Sequence, residues 1–305
     1  MSSPEKIPSW MLHEWQQKPL EWKIERSLLR IKQYYEELNG KVFVSFSGGK
    51  DSTVLLDLVR RIYPEIIGVH VNTGLEYPEI EDFVKNTKNA VILHPKMAFN
   101  QVLEKYGYPV ISKEVSMAID RYRVTKDPDM KIFRMTGVRH GIYKGTMGVI
   151  PKKYQYLVDA PFKISDKCCD IMKKQPLNKY EKETGTHPIT GVMASDSARR
   201  KRRFLETGCN SFGGHTMSTP MAFWTEKDVW DYIHKYDIRY SKIYDMGERR
   251  TGCIFCMFGC QREESPNRFE RMKVIHPKLW EYCMYKLKLQ EVLDYTKVNT
   301  GIEVK

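Results

Sequence analysis

The chain has 305 residues, of which 41% are hydrophobic and 29% are charged, and its formal net charge is +12. Its length allows one large core or two ordinary ones, and no apolar run approaches the roughly 18 residues that a membrane helix needs. The first residues, MSSPEKIPSWMLHEW, lack the basic-then-apolar pattern of a signal peptide. The sequence therefore predicts a cytoplasmic protein that has no membrane partner.

The excess of positive charge favours an acidic partner. The chain has 50 Lys and Arg residues against 38 Asp and Glu residues. Such a balance is typical of a protein that binds nucleic acid, but a basic enzyme that binds a phosphorylated small molecule has it too. Charge alone leaves both partners open.

Helices and buried strands alternate along the chain. Apolar positions at helical spacing predict one or two helices within residues 10–40, ended by Asn39-Gly40. The predicted strands are residues 42–46, 66–71, 90–93, 188–192 and 220–224. The predicted helices are residues 52–62, 78–88, 98–106, 113–124, 225–234, 265–275 and 277–294, and residues 126–166 are predicted to be rich in loops.

This alternation predicts an α/β protein with a doubly wound, mostly parallel sheet and with ligands at the carboxyl ends of the strands. The predicted organisation has three parts. Residues 1–40 form a helical N-terminal extension, residues 41–240 a nucleotide-binding α/β domain, and residues 241–305 a cysteine-containing and helical C-terminal portion.

Residues 45–52, which read SFSGGKDS, join the first predicted strand to the helix that follows it. A glycine-bearing turn at a helix N-terminus presents backbone N–H groups and a positive dipole end to an anion, usually a phosphate. The turn lacks the Walker A pattern. It predicts a phosphate site, with a Gly-Gly turn that binds nothing as the alternative. The candidate ligands are Ser45, Ser47, Gly48, Gly49, Lys50, Asp51 and Ser52.

The same string resembles the SGGKDS loop of the PP-loop ATP pyrophosphatases, which cleave ATP between the α- and β-phosphates. The resemblance implies a PP-loop fold, similar to the adenine nucleotide alpha hydrolases, and an ATP site. It also implies catalytic roles for Lys50, Asp51 and Ser52. Mg²⁺ would offset charge on the leaving pyrophosphate, and Asp51 would orient that ion or cap the helix.

Residues 70–79 read HVNTGLEYPE and resemble an element of the nucleotide pocket of sulfonucleotide reductases. The resemblance implies nucleotide contacts from Asn72, Thr73 and Gly74. Asn72 stands where that family has an acid, so this position brings no carboxylate to a metal or a base. A simple turn at Thr73-Gly74 is the alternative reading.

The seven cysteines are not expected to form a disulfide framework in a cytosolic chain. Two of them, Cys168 and Cys169, are adjacent, and Cys253 and Cys256 form a C-x-x-C pair. Thiolates at such spacing can hold zinc or an iron–sulfur cluster, or can remain free. The string CCDIMKKQPL resembles a motif of the adenylyl-sulfate reductases, and this implies that these four cysteines hold a 4Fe–4S cluster, with Cys260 as a spare ligand.

Residues 191–204, GVMASDSARRKRRF, resemble the arginine loop with which the same family holds the anionic groups of its sulfonucleotide. Ser197 and Arg200 match that pattern, whereas Met193 stands where an arginine is usual. Residues 199–203 are five consecutive cations, more than one sulfonucleotide needs. This basic run therefore predicts a nucleic-acid backbone, of tRNA or DNA, as a second ligand.

One motif of the reductases does not occur. They carry a C-terminal E-C-G-(I/L)-H motif whose cysteine attacks the bound sulfonucleotide, and the tail KVNTGIEVK has no cysteine. Cys209, in a glycine-rich segment, is the better candidate for a mobile catalytic thiol. Cys283 reads as a buried small hydrophobic residue.

From about residue 41 to 262 the chain resembles the phosphoadenosine-phosphosulfate reductase family of the PP-loop superfamily. The first hypothesis is an ATP pyrophosphatase that supports sulfur transfer to a nucleic acid. Its sulfur donor would be a cysteine desulfurase or a thioredoxin-like reductant. The second is a sulfonucleotide reductase that releases sulfite, and the third is a cluster-containing binding or redox-sensing module without activity.

Overall fold

The computed structural model describes residues 6–298, which form two compact units. Unit 1 contains residues 6–72, 77–93 and 177–251, and unit 2 contains residues 73–76, 94–176 and 252–298. Residues 1–5 and 299–305, predicted as parts of the two terminal extensions, lie outside the described residues. The three-part organisation stays a prediction.

Short strands alternate with helices through most of the described chain. The strands are β1 (Val42–Ser45), β2 (Gly68–Val71), β3 (Ala90–Leu93), β4 (Val138–Arg139), β5 (Ile142–Tyr143), β6 (His187–Thr190), β7 (Asn210–Ser211) and β8 (Met217–Ser218). The helices are α1 (Ser9–Gln17), α2 (Leu20–Glu37), α3 (Lys50–Arg60), α4 (Pro78–Lys85), α5 (Phe99–Tyr106), α6 (Lys113–Val124), α7 (Pro128–Thr136), α8 (Gln175–Thr184), α9 (Ala198–Thr207), α10 (Glu226–Lys235), α11 (Arg268–Ile275), α12 (Pro277–Glu281) and α13 (Leu289–Tyr295).

The sheet of unit 1 has the strand order β3-β2-β1-β6-β8-β7. Neighbouring strands are parallel except β7, which runs antiparallel to β8. The predicted mostly parallel α/β sheet is confirmed. Successive connections from β1 run in one direction to β2 and β3, and β6 pairs with the other side of β1. The order therefore reverses between β1 and β6, where ligands of open α/β sheets bind.

Helix α2 is part of the packed core of unit 1. Its Lys23 is 1% exposed and donates hydrogen bonds to Asp228 Oδ2 at 2.6 Å and to the Gln16 carbonyl oxygen at 2.7 Å. Asp228 also accepts from the Thr225 backbone N–H at 2.7 Å, which completes the capping box of α10. A buried ammonium therefore links α2 to the first turn of α10.

Removal of this ammonium is expected to destabilise unit 1 strongly, because the Asp228 carboxylate then stays buried without its counter-ion. We expect Lys23→Ala to lower the free energy of unfolding by about 3–5 kcal/mol in denaturant titrations. The matched control is Lys32→Ala on the same helix, where the ammonium is exposed and lies 3.8 Å from Glu36; its cost is expected to stay below about 0.5 kcal/mol. An equal loss of unfolding free energy in the two variants would contradict a stabilising role of the buried Lys23–Asp228 pair.

The predicted strand 220–224 is wrong. Trp224 N–H donates to the Met221 carbonyl at 3.0 Å and Ala222 N–H to the Thr219 carbonyl at 3.0 Å, so these residues form turns. The strand of this region is β8, which ends before them. Phe223 and Trp224 are fully buried. Their apolar character reflects core packing in a turn, which a sequence pattern does not separate from a strand.

The segment 126–166 contains more regular structure than its glycines and prolines indicated. Helix α7 begins where Asp127 caps the Asp129 N–H at 3.0 Å, has Pro128 in its first turn, and ends at Gly137 with φ 80°. A β4–β5 hairpin follows it. The start and stop signals of α7 are present in the sequence and were outweighed by the overall loop-rich composition.

The predicted helix 277–294 is interrupted. It is divided into α12, a π-helical turn (Tyr282–Lys286) and α13, and Lys288 between them has φ 55°. Within residues 6–298, no helix is both long enough and apolar enough to cross a membrane.

Candidate functional site

The phosphate loop, residues 45–52, follows β1 and leads into α3 at the point where the strand order of unit 1 reverses. Gly48 has φ +77°, and a Cβ there would lie 2.8 Å from Val84 Cγ2 and 2.9 Å from Ile80 Cγ2. A glycine is therefore required at this position for two reasons, the backbone conformation and the closeness of α4. Helix α3 begins at Lys50, two residues before the predicted start, so Lys50 and Asp51 belong to its first turn.

Hydroxyl groups order this loop from inside. Ser52 Oγ accepts a hydrogen bond from the Ser47 N–H at 3.1 Å, lies 3.0 Å from Ser47 Oγ, and donates to the Gly49 carbonyl at 2.8 Å. Ser47 Oγ also accepts from the Gly49 N–H at 3.3 Å. Ser45, at the end of β1, is half-buried. These hydrogen bonds fix the shape of the loop and occupy the N–H groups of Ser47 and Gly49 within it.

The side chain of Lys50 is buried at the start of α3. Its Nζ lies 3.1 Å from Glu226 Oε1 and 3.5 Å from Asp51 Oδ1. Although burial opposes it, the negative charges of Asp51 and Glu226 raise the pKa of Lys50, so that the group stays a cation. Burial is the main cause that raises the pKa of Asp51, and Asp196 raises it further. Asp51 Oδ1 is buried, and the Lys50 ammonium compensates its charge.

Two residues far along the chain contact the loop and were not identified from the sequence. The Tyr244 hydroxyl accepts a hydrogen bond from the Lys50 N–H at 2.8 Å and lies 3.0 Å from Thr251 Oγ1. A Cβ on Gly49 would lie 2.6 Å from that Thr251 oxygen. Burial raises the pKa of Tyr244, so the hydroxyl stays neutral. No local pattern links these residues to the loop, because about two hundred residues separate them from it.

Substitution of Gly48 is expected to have a larger effect than substitution of a glycine whose only constraint is its positive φ. We expect Gly48→Ala to lower the free energy of unfolding by about 1–3 kcal/mol and to abolish detectable ATP binding, measured by urea titration and calorimetry. The matched control is Gly185→Ala, since Gly185 has φ +66° and a Cβ there would meet no atom within 4 Å. Gly185→Ala should lower the free energy of unfolding through backbone strain but leave ATP binding unchanged. Equal ATP binding by the two variants would contradict an ATP site at the phosphate loop.

The residues after β2 are placed in both units. In unit 1, Asn72 Nδ2 donates to Glu81 Oε1 at 2.7 Å. In unit 2, the Thr73 N–H and Oγ1 both donate to the Glu76 carboxylate at 2.9 Å. Gly74 is exposed and has φ +70°. Nucleotide contacts from Asn72, Thr73 and Gly74 stay a prediction.

The basic run 199–203 lies in a helix, not in a loop as its resemblance implied. Ser197 caps α9 by accepting the Arg200 N–H at 3.3 Å, and this stabilises five consecutive cations as helical residues. Arg200 pairs with Asp196. All five cations are exposed, so α9, here called the basic helix, presents them to solvent.

The basic helix begins beside the phosphate loop. The segment that connects it to β6 starts at Gly191, where a Cβ would lie 3.0 Å from the Asp51 carbonyl oxygen. Met193, which stands at an expected arginine position, is 2% exposed and belongs to the core. The positive charge of this region therefore lies in the helix that follows the segment.

Unit 2 brings together the four cysteines predicted as ligands, here called the cysteine group. Cys168 and Cys169 occupy a helical turn that leads into a π-helical turn (Asp170–Lys174), and such turns are frequent at functional sites. Cys253 and Cys256 are joined by a tight turn, in which the Cys256 N–H donates to the Cys253 carbonyl at 3.0 Å. All four line one cavity with the apolar side chains of Leu75, Phe99, Pro109 and Met172.

Burial and neighbouring charges shift the pKa values of the cysteine group in opposite directions. The hydrogen bond from the Cys168 S–H, over 4.0 Å, lowers the pKa of Cys169 against the effect of burial, and Lys113 lowers it further. Burial raises the pKa of Cys253, and it raises the pKa of Cys256 to about 11. Lys173 lies 4.0 Å from Glu76 and forms a hydrogen bond with Cys253. A positive charge beside thiols stabilises their ionised form.

The donor set has the number and type of ligands that a 4Fe–4S cluster takes. In residues 6–298, no group of three or more His, Cys, Asp or Glu side chains meets the geometry for holding one metal ion. A 4Fe–4S cluster binds each of its four thiolates through a different iron, so its ligands do not converge on one point. Four thiols around a shared apolar cavity have the number and the chemistry for such a group.

The remaining cysteines are buried. Cys209 is 6% exposed and lies at the wall of a cavity of unit 1, and burial raises its pKa to about 12. A catalytic role for Cys209 stays a prediction that its burial does not favour. Cys260 donates to the Met257 carbonyl at 2.9 Å and does not line the cavity of the cysteine group. Cys283 is fully buried, as its sequence context indicated.

Comparisons with known proteins agree with this architecture. A family model for the phosphoadenosine phosphosulfate reductase domain matches residues 41–122 and 146–258. An uncharacterised protein of Methanocaldococcus jannaschii is 25% identical over 268 residues, which cover 87% of this chain. This chain spans only about half of that relative, 52% of its length.

Two further proteins resemble the chain. An adenosine 5′-phosphosulfate reductase of Geobacillus kaustophilus is 24% identical over 224 residues, which cover 73% of this chain and 75% of that protein. The structure of the U34-tRNA thiolase NcsA from Methanococcus maripaludis with its 4Fe–4S cluster aligns over 90% of this chain and 80% of its own, with 15% identity and a TM-score of 0.39.

Proposed function

The chain belongs to the phosphoadenosine phosphosulfate reductase family, and from this premise we propose that it is an ATP pyrophosphatase that supports sulfur transfer to a nucleic acid. The acceptor is a tRNA base or the backbone of DNA. The sulfur comes from a donor such as a cysteine desulfurase, and a thioredoxin-like reductant supplies the electrons that release it. The phosphate loop binds ATP, and the basic helix binds the acceptor by its phosphates.

The observation that supports this proposal best is the position of the basic helix. Its exposed cations follow directly on a segment that contacts the first turn of α3. Binding of one nucleotide does not need five adjacent cations, whereas a strand with a phosphate at each residue does use them. A nucleic acid bound on α9 would therefore lie close to the phosphate loop of the same unit.

In the proposed reaction an acceptor oxygen attacks the α-phosphorus of ATP, the bond to the bridging oxygen breaks, and pyrophosphate leaves. A thioredoxin-like dithiol reduces the persulfide of a cysteine desulfurase by two electrons, which releases sulfide and leaves the dithiol as a disulfide. The sulfide then displaces AMP, which leaves with the acceptor oxygen, so that sulfur takes the place of that oxygen. The positive end of α3 and the Lys50 ammonium stabilise charge on the leaving pyrophosphate. Asp51 would hold Mg²⁺, which when bound with ATP offsets charge on the phosphates.

The cysteine group would hold a 4Fe–4S cluster through Cys168, Cys169, Cys253 and Cys256. When bound, such a cluster supplies a site for electrons or for sulfur. The chain itself contributes the apolar lining of the cavity and the ammonium of Lys173, which compensates thiolate charge at Cys253.

A second candidate function is a sulfonucleotide reductase that releases sulfite from adenylyl or phosphoadenylyl sulfate. It is favoured by the similarity to adenosine 5′-phosphosulfate reductases over about three quarters of the chain. The described residues provide no exposed cysteine for the attack on sulfur in unit 1, because Cys209 is buried. This candidate therefore requires a thiol from elsewhere.

The test is a pair of assays on anaerobically purified protein. ATP and Mg²⁺ are supplied with and without tRNA or DNA, and pyrophosphate is measured. Adenylyl and phosphoadenylyl sulfate are supplied separately with thioredoxin, and sulfite is measured. We expect pyrophosphate release that nucleic acid stimulates. Sulfite release without pyrophosphate would replace the proposal with the reductase, and absence of adenine nucleotide binding would leave only a module without activity.

A further inference from the structure

Unit 1 contains a cavity of about 880 Å³ that is separate from the phosphate loop, none of whose residues line it. Helices α1 and α2 form part of its wall, and the end of the basic helix with β7 forms another part. The residues that carry the argument are Lys6, Trp15, Arg26, Arg30, Thr207 and Phe212. This cavity is here called the side cavity, and the site described above gives it no role.

The charge of the side cavity favours an anion. Three cations line the cavity, namely Lys6, Arg26 and Arg30. Two carboxylates also line it, and one of them, that of Glu36, lies 3.8 Å from the Lys32 ammonium. The Arg26 guanidinium lies 4.7 Å from the ring centroid of Trp15, and its Nε is buried without a hydrogen-bond partner among the described residues. A guanidinium group that lines a cavity can donate hydrogen bonds to a phosphate oxygen.

The side cavity also has an aromatic surface. Phe212 lies 5.6 Å from Tyr34 and remains 41% exposed, so part of its ring is free to stack on a planar group. Rings on which bases stack, combined with guanidinium groups for phosphates, are the means by which proteins hold single-stranded nucleic acid. Together the two features suit a phosphate ester that carries an aromatic base.

The basic helix ends at the side cavity. Thr207, its last residue, lines the cavity, and Thr207 Oγ1 donates to the Arg203 carbonyl at 3.0 Å one turn earlier. Residues four apart share a helix face, so Arg203 lies on the side that leads to the cavity. The last turn of α9 therefore connects the exposed cations of the basic helix to a cavity that Arg30 and Phe212 also line.

We propose that the side cavity binds one nucleotide unit of the nucleic-acid acceptor, with its phosphate at Arg26 and Arg30 and its base against Phe212. This inference rests on the proposed function, because it gives the acceptor strand a second anchor beyond the basic helix. The bound unit is one that the enzyme holds and does not modify, so the cavity fixes which nucleotide of the strand reaches the phosphate loop.

The test is the binding of short fluorescent single-stranded RNA and DNA of the same sequence to the full chain, measured by anisotropy at several salt concentrations. We expect Arg30→Ala and Phe212→Ala each to weaken binding about tenfold. Arg30→Ala should also reduce the slope of log affinity against log salt by about 0.7, the value for one lost phosphate contact. The matched control is Lys182→Ala, which removes an exposed cation of α8 from the same unit and should change affinity less than twofold.

The outcomes separate this inference from the proposed function. Absence of binding by the unmodified chain would overturn both. Binding that both cavity variants retain would overturn the side cavity alone and leave the basic helix as the acceptor surface. A second titration uses AMP in a Lys50→Ala background; if Arg30→Ala weakens AMP binding but not strand binding, the cavity takes a free nucleotide. Thermal unfolding of each variant shows whether the fold is retained.

Discussion

Replacement of Lys50 or Ser52 with alanine is expected to reduce ATP turnover by at least about 10²-fold, the usual cost of losing a group that stabilises transition-state charge. Lys50 is the buried cation of the phosphate loop, with its Nζ 3.1 Å from Glu226. Ser52 makes the hydrogen bonds to Ser47 and Gly49 that hold the loop amides in place. Lys50→Ala therefore removes the positive charge of the loop, whereas Ser52→Ala removes hydrogen bonds that fix its shape.

The measurement is pyrophosphate release under saturating ATP and Mg²⁺, with the visible absorption spectrum taken on the same samples. Neither substitution alters a residue of unit 2, so the iron content and the spectrum should stay those of the unmodified protein. Lys182→Ala, which removes an exposed cation of α8, is the charge control and should keep full turnover. Turnover that survives both loop substitutions would place the ATP site elsewhere.

The parts of the site that the sequence predicted are those whose physical cause is local. A buried strand, two glycines and a helix start are neighbours in the chain, so the phosphate loop is visible as a pattern. The C-x-x-C pair is equally local, and the two sulfurs share one tight turn. Both predictions follow from geometry that a few residues determine.

The contacts that complete the loop could not be predicted in this way. Tyr244 and Glu226 reach Lys50 only because the sheet brings α10 and the segment after it to the carboxyl end of β1. Similarly, the aromatic run that ends in Trp224 is buried by tertiary packing, so its hydrophobicity indicated a strand where the chain turns. Burial and long-range pairing depend on the whole fold, and a single sequence does not determine them by pattern.

The cysteine group leads to the second large effect. We expect Cys253→Ser and Cys256→Ser each to lose most of the iron, the acid-labile sulfide and the visible absorption after anaerobic reconstitution, because each removes one of four thiolates around the same cavity. The unmodified chain should carry about four irons. The measurement is iron and sulfide per chain, together with the spectrum.

Two other buried cysteines in unit 2 make this experiment specific. Cys260 is only four residues beyond Cys256, but its thiol donates to the Met257 carbonyl and does not line the shared cavity. Cys283 is fully buried in a helical segment. Cys260→Ser and Cys283→Ala should therefore retain iron, although each removes a thiol from the interior. If Cys260→Ser loses as much iron as Cys256→Ser, Cys260 is a ligand. If the unmodified chain contains about one zinc ion and shows no visible absorption, the site holds a structural zinc ion instead of a cluster, since four thiolates also bind zinc.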